Sequence, residues 1–278
     1  MILSKEIITS RNNATVKWVA SLHDKKGRQT EKAFIAEGFK LSFEALEAGL
    51  PVSHVFISEN KFDEYFPKLK GLLEDEKYSK TIVCVLSEGV FEKISTEKAP
   101  QGVISVIKYL DFFFNMNIIY KEEFFLEEGE RAIALYQVRD PSNLGAVIRS
   151  SVAFGVDHII LSDDCADVYN PKTIRSAMGS MFRVKISKIS DFKSFVCAAK
   201  ANCRRIFAAE LTDNASSISD IALNNNDIVI IGNEGHGIAK DVSEICTGSV
   251  YIPISKNTES LNASVAAAIF MWEQSKKG

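Results

Sequence analysis

Apolar, β-rich runs alternate with helix-like stretches along almost all of the chain's 278 residues. Residues 13–23 read as a helix, and FIAEG (34–38) as a strand end leading into a helix over 39–48. VSHVFIS (52–58), TIVCVLS (81–87) and GVISVIKY (102–109) read as strands, separated by helices over 61–74 and 88–94. The pattern lapses in DFFFNMNIIYKEEFFLEEGE (111–130), which is aromatic and acidic without clean periodicity. It then restarts with strand IALYQV (133–138), helix 143–154, strand HIIL (158–161), a helical turn over 172–178, strand FRVKIS (182–187) and helix 190–201. RIFAAE (205–210), DIVIIGN (227–233) and SVYIPI (249–254) are further strands, and a helix over 260–276 closes the chain. Such alternation predicts α/β architecture with a mainly parallel sheet. The lapse divides it into a first domain over 1–112, a linker over 113–130 and a second domain over 131–278.

Composition narrows the class. At 46% hydrophobic and 25% charged the chain has a globular profile. It holds no run approaching the roughly 20 apolar residues of a membrane span. MILSKEIITSRNN has no secretory pattern, so a cytoplasmic protein is expected. Cys84, Cys165, Cys197, Cys203 and Cys246 include no CxxC pair, and reduced, mostly buried thiols are expected. His23, His54, His158 and His236 have no zinc-ligand spacing, and no metal is expected. The net charge of -3 does not mark a nucleic-acid binder, but residues 1–40 alone are +4. That local excess fits a phosphate-binding face or a solvated helix surface.

Three segments carry the chemistry, each just after a strand, where open α/β sheets bind ligands. In DPSNLGAVIRSSVAFG (140–155), Asp140–Asn143 is turn and capping chemistry. Asn143 is placed to cap a helix from Leu144, with Ile148, Val152 and Phe154 toward the sheet and Arg149 further along. IIGNEGHGI (230–238) has three glycines in six residues after a strand, the mark of backbone that approaches something closely. Its order is GxxGxG, with no P-loop lysine, so it does not read as a dinucleotide fingerprint. In YIPISKNTESLNASVAAAIFMWE (251–273) a strand and a polar loop lead into a helix with Leu261, Val265, Ile269 and Trp272 on one stripe and an alanine-rich face. Ser260 and Asn262 stand at its start, where capping is the plain role.

In this order and spacing the segments resemble the SpoU/TrmH family of RNA ribose 2'-O-methyltransferases, of the SPOUT superfamily. Asn143, Gly145 and Arg149 fit the first family motif, and Gly232-Asn233-Glu234-Gly235 with Gly237 the second. Ile252-Pro253 and Ser260-Leu261-Asn262, with Ser264, Ala266 and Ala267, fit the third. Asn170-Pro171, Arg175 and Met178-Gly179 look like an intervening family segment. ITSRNNATVK, Lys25-Lys26-x-Arg28 and Phe34–Gly38 look like the ribosomal-protein-like substrate-binding domain that often precedes the catalytic one. The chain departs from the family at Ile254 (usually Met), at Lys256 (usually Gly) and at Ala14 (usually Pro).

The resemblance implies a parallel SPOUT-type sheet with a trefoil knot, S-adenosylmethionine as cofactor, ribosomal RNA (less so transfer RNA) as substrate, and a homodimer using the last helix. It implies catalytic roles for Arg149, Asn143, Glu234, Ser260 and Asn262, and a cofactor pocket from Gly232, Asn233, Gly237, Ile252 and Leu261. RNA contacts would come from Arg11, Lys25, Arg28 and Arg175. The family proposal makes the arginine a base. A guanidinium is almost never neutral, so a phosphate clamp that steadies the developing alkoxide is the easier role. Two other classes remain open on the sequence: a catalytically decayed RNA-binding protein, and a nucleotide-dependent oxidoreductase, which lacks the fingerprint.

Overall fold

The computed structural model describes residues 1–110, 119–120, 126–127 and 129–276. Its strands are β1 (Ile2–Leu3), β2 (Ala33–Glu37), β3 (Val52–Ser58), β4 (Ile82–Leu86), β5 (Val103–Lys108), β6 (Ile119–Tyr120) and β7 (Ala132–Leu135). They continue as β8 (His158–Ser162), β9 (Lys185–Ile189), β10 (Ile206–Ala209), β11 (Ser216–Ser217), β12 (Ile228–Ile231) and β13 (Gly248–Tyr251). The helices are α1 (Ala14–Ser21), α2 (Lys25–Glu31), α3 (Phe39–Glu47), α4 (Phe62–Leu73) and α5 (Glu88–Ile94). After these come α6 (Pro141–Ala153), α7 (Pro171–Ala177), α8 (Phe192–Ala201), α9 (Lys240–Ser243) and α10 (Ala263–Ser275).

Two compact units divide the chain. One comprises the described residues of Met1–Asn115 together with Asp167–Phe182; the other comprises those of Met116–Ala166 and Arg183–Gly278. The expected second domain, 131–278, differs from this in two stretches: the second unit also takes in the described residues of 116–130, and it lacks Asp167–Phe182. The cause of the second difference is aromatic and ionic. The Tyr169 ring stacks on Tyr109 at 4.0 Å and on Phe34 at 4.9 Å, while Asp167 takes the Arg28 guanidinium at 2.6 Å. Those contacts tie α7 and its lead-in to the first unit. Most of the expected linker, 113–130, lies outside the described residues.

In the first unit the sheet order is β1-β4-β3-β5-β2. β1, β4 and β3 are parallel neighbours, but β5 pairs antiparallel with both β3 and β2. A mainly parallel sheet was the expectation here. Alternation of strand and helix sets the order of elements, not strand direction, and β5 runs back from the loop after α5. Val16 and Val19 of α1 and Val90, Phe91 and Ile94 of α5 cover one face of this sheet over Phe56, Cys84, Ile104 and Val106. Burying each large apolar side chain contributes about 1.5–3 kcal/mol, so helix spacing and strand burial together hold this unit.

The second unit contains a sheet ordered β11-β13-β10-β12-β7-β8-β9-β6, and every pairing in it is parallel. Ile228–Ile231 and Ala132–Leu135 are buried at every position. Strands covered on both faces read as continuous apolar runs, which is why these segments were visible without alternation. β9 begins three residues later than the strand expected over 182–187, because Ser180–Phe182 form a 3-10 turn in the first unit.

The last helix packs differently from its expected stripe. Val265 and Trp272 are 47% and 52% exposed, whereas Ala263, Ala267, Phe270, Met271 and Gln274 are buried. Small alanines let α10 approach α6, where Ser151 Oγ donates to Met271 Sδ at 3.3 Å. Gln274 Nε2 donates to the Asp227 carbonyl at 2.9 Å, which anchors the far end.

Candidate active site and cofactor pocket

The carboxyl ends of β7, β12, β10 and β13 lie side by side, and the three chemistry-bearing segments leave from them. At the end of β7 the chain must turn into α6. Gln137 takes a left-handed backbone (φ 57), a strained state for a non-glycine residue. Its N–H donates to Ser162 Oγ at 2.9 Å and its carbonyl accepts from Asn233 Nδ2 at 2.8 Å, so two neighbours fix it.

Asp140, not Asn143, caps α6. Its Oδ1 accepts the backbone N–H groups of Ser142 (2.7 Å) and Asn143 (3.0 Å), and Pro141 supplies the preset φ of the first turn. The expectation that Asn143 caps a helix from Leu144 is corrected by this. The cap lies three positions earlier than expected, and the Asn143 side chain is released for other work.

That work is a polar chain across three segments. Asn262 caps α10, its Oδ1 accepting the backbone N–H groups of Ser264 and Val265. Its Nδ2 is therefore turned outward and donates to Asn143 Oδ1 at 3.0 Å. Asn143 in turn must present Nδ2 on its other side, and it donates to Glu234 Oε1 at 2.5 Å. Each amide orientation is forced by the bond before it. The cap role and the site role of Asn262 thus coexist, one on each amide atom.

The loop after β12 is held by its own backbone. Asn233 and Gly237 exchange N–H···O bonds of 3.1 and 2.9 Å, and Asn233 Oδ1 accepts from the N–H groups of Gly235 and His236. A Cβ at Gly232 would stand 2.6 Å from the Gly237 carbonyl carbon, so the loop closes only over glycine there. Gly237 has φ +66. The Asn233 side chain shapes this turn, and the residue lines the neighbouring cavity.

Beside this loop lies a cavity of about 300 Å³, at the lower end of the ligand-pocket range. Ile231, Ile252, Leu261, Ala266 and Phe270 give it apolar walls, and Gly232 and Gly237 expose backbone to it. Glu234, Ser260 and Glu210 also reach it. Among the described residues no lysine or arginine lines it. The donor set suits a nucleoside carrying positive charge and is wrong for a diphosphate, so it fits S-adenosylmethionine and not a dinucleotide.

The other expected residues are distributed as follows. Arg149 is exposed on α6, and among the described residues it has no hydrogen-bond or ion-pair partner. It does not line the cavity. Arg28 is 1% exposed, donating to the carbonyls of Leu22 (3.0 Å) and His23 (2.6 Å) besides its pair with Asp167. Burial corrects its expected RNA contact to a structural role in the first unit. Arg175 is engaged by Glu97 and by Thr96 Oγ1. Arg11 is exposed, with Nε donating to the Gly89 carbonyl at 2.9 Å, and Lys25 is exposed at the start of α2. Gln137 was not foreseen in its role; Asp140 was read as part of a capping segment but not as the cap itself, for which the Asp140-Pro141 pair was the available signal.

A parallel α/β sheet with a glycine loop, a nucleoside-sized cavity and an Asn–Asn–Glu chain at its carboxyl end defines a nucleoside-cofactor enzyme of open-sheet type. The chain belongs to the SpoU rRNA Methylase family, whose profile matches residues 130–272; residues 13–105 match the MRM3-like substrate binding domain. It is 29% identical over 269 residues to the 23S rRNA (guanosine(2553)-2'-O)-methyltransferase RlmP of Bacillus subtilis, covering 96% of this chain and 98% of that one. It is 26% identical to a 23S rRNA (uridine(2479)-2'-O)-methyltransferase of Streptomyces viridochromogenes, over 96% of this chain and 90% of that protein. The AdoMet-bound rRNA methyltransferase of Sinorhizobium meliloti superposes with a TM-score of 0.79 at 26% identity, covering 96% of each chain. Among the described residues no helix is long and apolar enough to cross a membrane.

Proposed function

We infer that this protein transfers a methyl group from S-adenosylmethionine to a ribose 2'-hydroxyl of ribosomal RNA, in the cytoplasm. The observation that carries this is the Asn262–Asn143–Glu234 chain at the mouth of the cavity, with bonds of 3.0 and 2.5 Å. Relatives named as 23S rRNA 2'-O-methyltransferases, matched along nearly their whole length, support the substrate class.

When bound, the cofactor supplies an electrophilic methyl for in-line displacement by the ribose oxygen. The chain's own residues must align donor and acceptor, exclude water and stabilise the proton-losing hydroxyl. The apolar walls at Ile252 and Leu261 hold the nucleoside and keep water out. Glu234, polarised by the Asn143 amide, faces the opening where the ribose arrives. Arg149, exposed and free of internal partners among the described residues, is available to an RNA phosphate. In that position its charge steadies the developing alkoxide, a role that asks no guanidinium to become neutral.

The exposed stripe of Val265 (47%) and Trp272 (52%), with half-buried Ile269, supports a homodimer through α10. The trefoil knot is carried by family resemblance and remains part of this reading.

The test is direct. Purified protein is incubated with labelled S-adenosylmethionine and unmodified 23S or 16S transcripts, and 2'-O-methyl positions are mapped. One discrete new ribose methylation is expected. Absence of methylation on ribosomal RNA, with clear methylation of transfer RNA, would reassign the substrate.

A further inference from the structure

Glu210 follows β10 directly and lines the cavity, yet the polar chain at the cavity mouth does not include it. Ser249 Oγ, on the neighbouring strand β13, donates to its Oε1 at 2.7 Å, and the Glu210 N–H donates to the Val250 carbonyl at 3.1 Å. The carboxylate is half-buried and has no basic partner among the described residues. A half-buried acid aimed by a hydroxyl and left without a cation is poised to accept hydrogen bonds from something else.

Its place in the sheet says from what. β10 lies next to β12, on the side away from β7. Asn143 and Glu234 belong to the β7 and β12 ends, so the transferable methyl must lie there to meet the RNA. Neighbouring strands are about 4.8 Å apart, which puts Glu210 roughly one strand further in. In S-adenosylmethionine one carbon separates the sulfur from the ribose ring, so the group one strand from the methyl is the ribose with its 2'- and 3'-hydroxyls. An acid at a strand end gripping a ribose hydroxyl is the chemistry used in dinucleotide folds. We propose that Glu210, aimed by Ser249, grips the ribose hydroxyl pair of the cofactor and so sets the depth at which the nucleoside sits. This rests on the methyl-transfer reading above.

Calorimetry on the full chain tests it with two ligands: S-adenosylhomocysteine, and 5'-methylthioadenosine, which keeps the hydroxyl pair but has no amino-acid tail. Glu210→Gln keeps the size of the side chain and an acceptor for Ser249, so a merely structural role leaves both affinities unchanged. The expected result is a loss of about tenfold or more on both ligands alike, since a charged acceptor becomes a neutral one. A loss confined to S-adenosylhomocysteine means the contact is to the ammonium and overturns the proposal; no loss on either overturns it too. Ser249→Ala leaves the carboxylate but removes what aims it. A loss of about threefold on both ligands is expected, and unchanged affinity counts against the proposal even where Glu210→Gln misfolds. A wild type that binds neither ligand overturns the methyl-transfer reading itself, which separates the two failures.

Discussion

Asn143 Nδ2 and Glu234 Oε1 lie 2.5 Å apart across 91 residues of sequence, and Asn262 closes on Asn143 from a third segment. The short charge-assisted bond fixes the carboxylate at the cavity mouth and couples the α6 start to the glycine loop. Asn143→Ala removes both bonds while leaving the Asp140 cap intact. Methyl transfer is expected to fall by about a hundredfold, comparable with losing one preorganised donor. Stability should change by less than about 1 kcal/mol, because the site is open to solvent. Single-turnover rates and thermal melts of the same preparation separate the two. A loss of stability comparable to the loss of rate would make the bond structural.

Arg149 acts differently if it clamps a phosphate than if it removes a proton. As a clamp, Arg149→Ala should weaken RNA binding markedly and slow methylation by about a hundredfold or more. Arg149→Lys keeps a point charge but loses the planar fork, so partial recovery is expected. Filter binding alongside turnover reads both. Intact RNA affinity in Arg149→Ala, with turnover abolished, would favour the base role.

The sequence carried most elements of the second unit because their strands are buried on both faces and read as unbroken apolar runs, as in Ile228–Ile231. The three site segments were found by glycine spacing and polar residues at strand ends. What escaped was interaction-dependent. Asp140 takes the cap in place of Asn143 because the helix starts at Pro141, three residues earlier than expected. Strand direction in β5 and the attachment of Asp167–Phe182 to the first unit depend on pairings distant in sequence. Arg28 looked like a surface cation because nothing local announces the Asp167 carboxylate or the carbonyls that bury it. The outward turn of Val265 and Trp272 was hidden for a similar reason: the buried face runs through Ala263, Ala267, Phe270 and Met271, and Met271 reaches Ser151 of α6.

Gly232→Ala tests the loop. The added methyl would stand 2.6 Å from the Gly237 carbonyl carbon and 2.8 Å from its oxygen, both backbone atoms that cannot swing aside. The exchange of hydrogen bonds between Asn233 and Gly237 must then open. A cost of about 1–3 kcal/mol is expected, together with loss of S-adenosylhomocysteine binding in calorimetry. Gly235→Ala is the control, since its nearest neighbour for a Cβ is a side-chain oxygen at 3.5 Å. Equal effects at the two glycines would remove the special role of Gly232.

A charge on the exposed stripe of α10 tests the dimer. Val265→Asp and Trp272→Asp alter residues 47% and 52% exposed, so the protomer should fold with little change. Sedimentation is expected to shift from dimer to monomer, because an uncompensated carboxylate in an apolar contact is costly. If the wild type already sediments as a monomer at tens of micromolar, the stripe serves another purpose.

The last prediction concerns pH and follows from a buried histidine far from the cavity. His158 is 3% exposed, with Nε2 2.7 Å from Ser187 Oγ and Nδ1 3.2 Å from Glu130 Oε1. Burial pulls its pKa below the ordinary 6.5, helped by Lys185 and only partly opposed by Glu130. His54 in the first unit is lowered too, by burial and then by the Lys108 charge. A histidine with a depressed folded pKa binds fewer protons folded than unfolded. The stability it contributes is therefore complete above about 6.5 and is lost as pH falls below that value toward the folded pKa. Thermal midpoints measured from pH 7.5 to 5.5 should decline, most steeply below 6.5. His158→Gln, which keeps a donor and an acceptor but cannot take up a proton, should flatten that decline, leaving the His54 contribution. An equally steep decline in the variant would place the titrating group elsewhere.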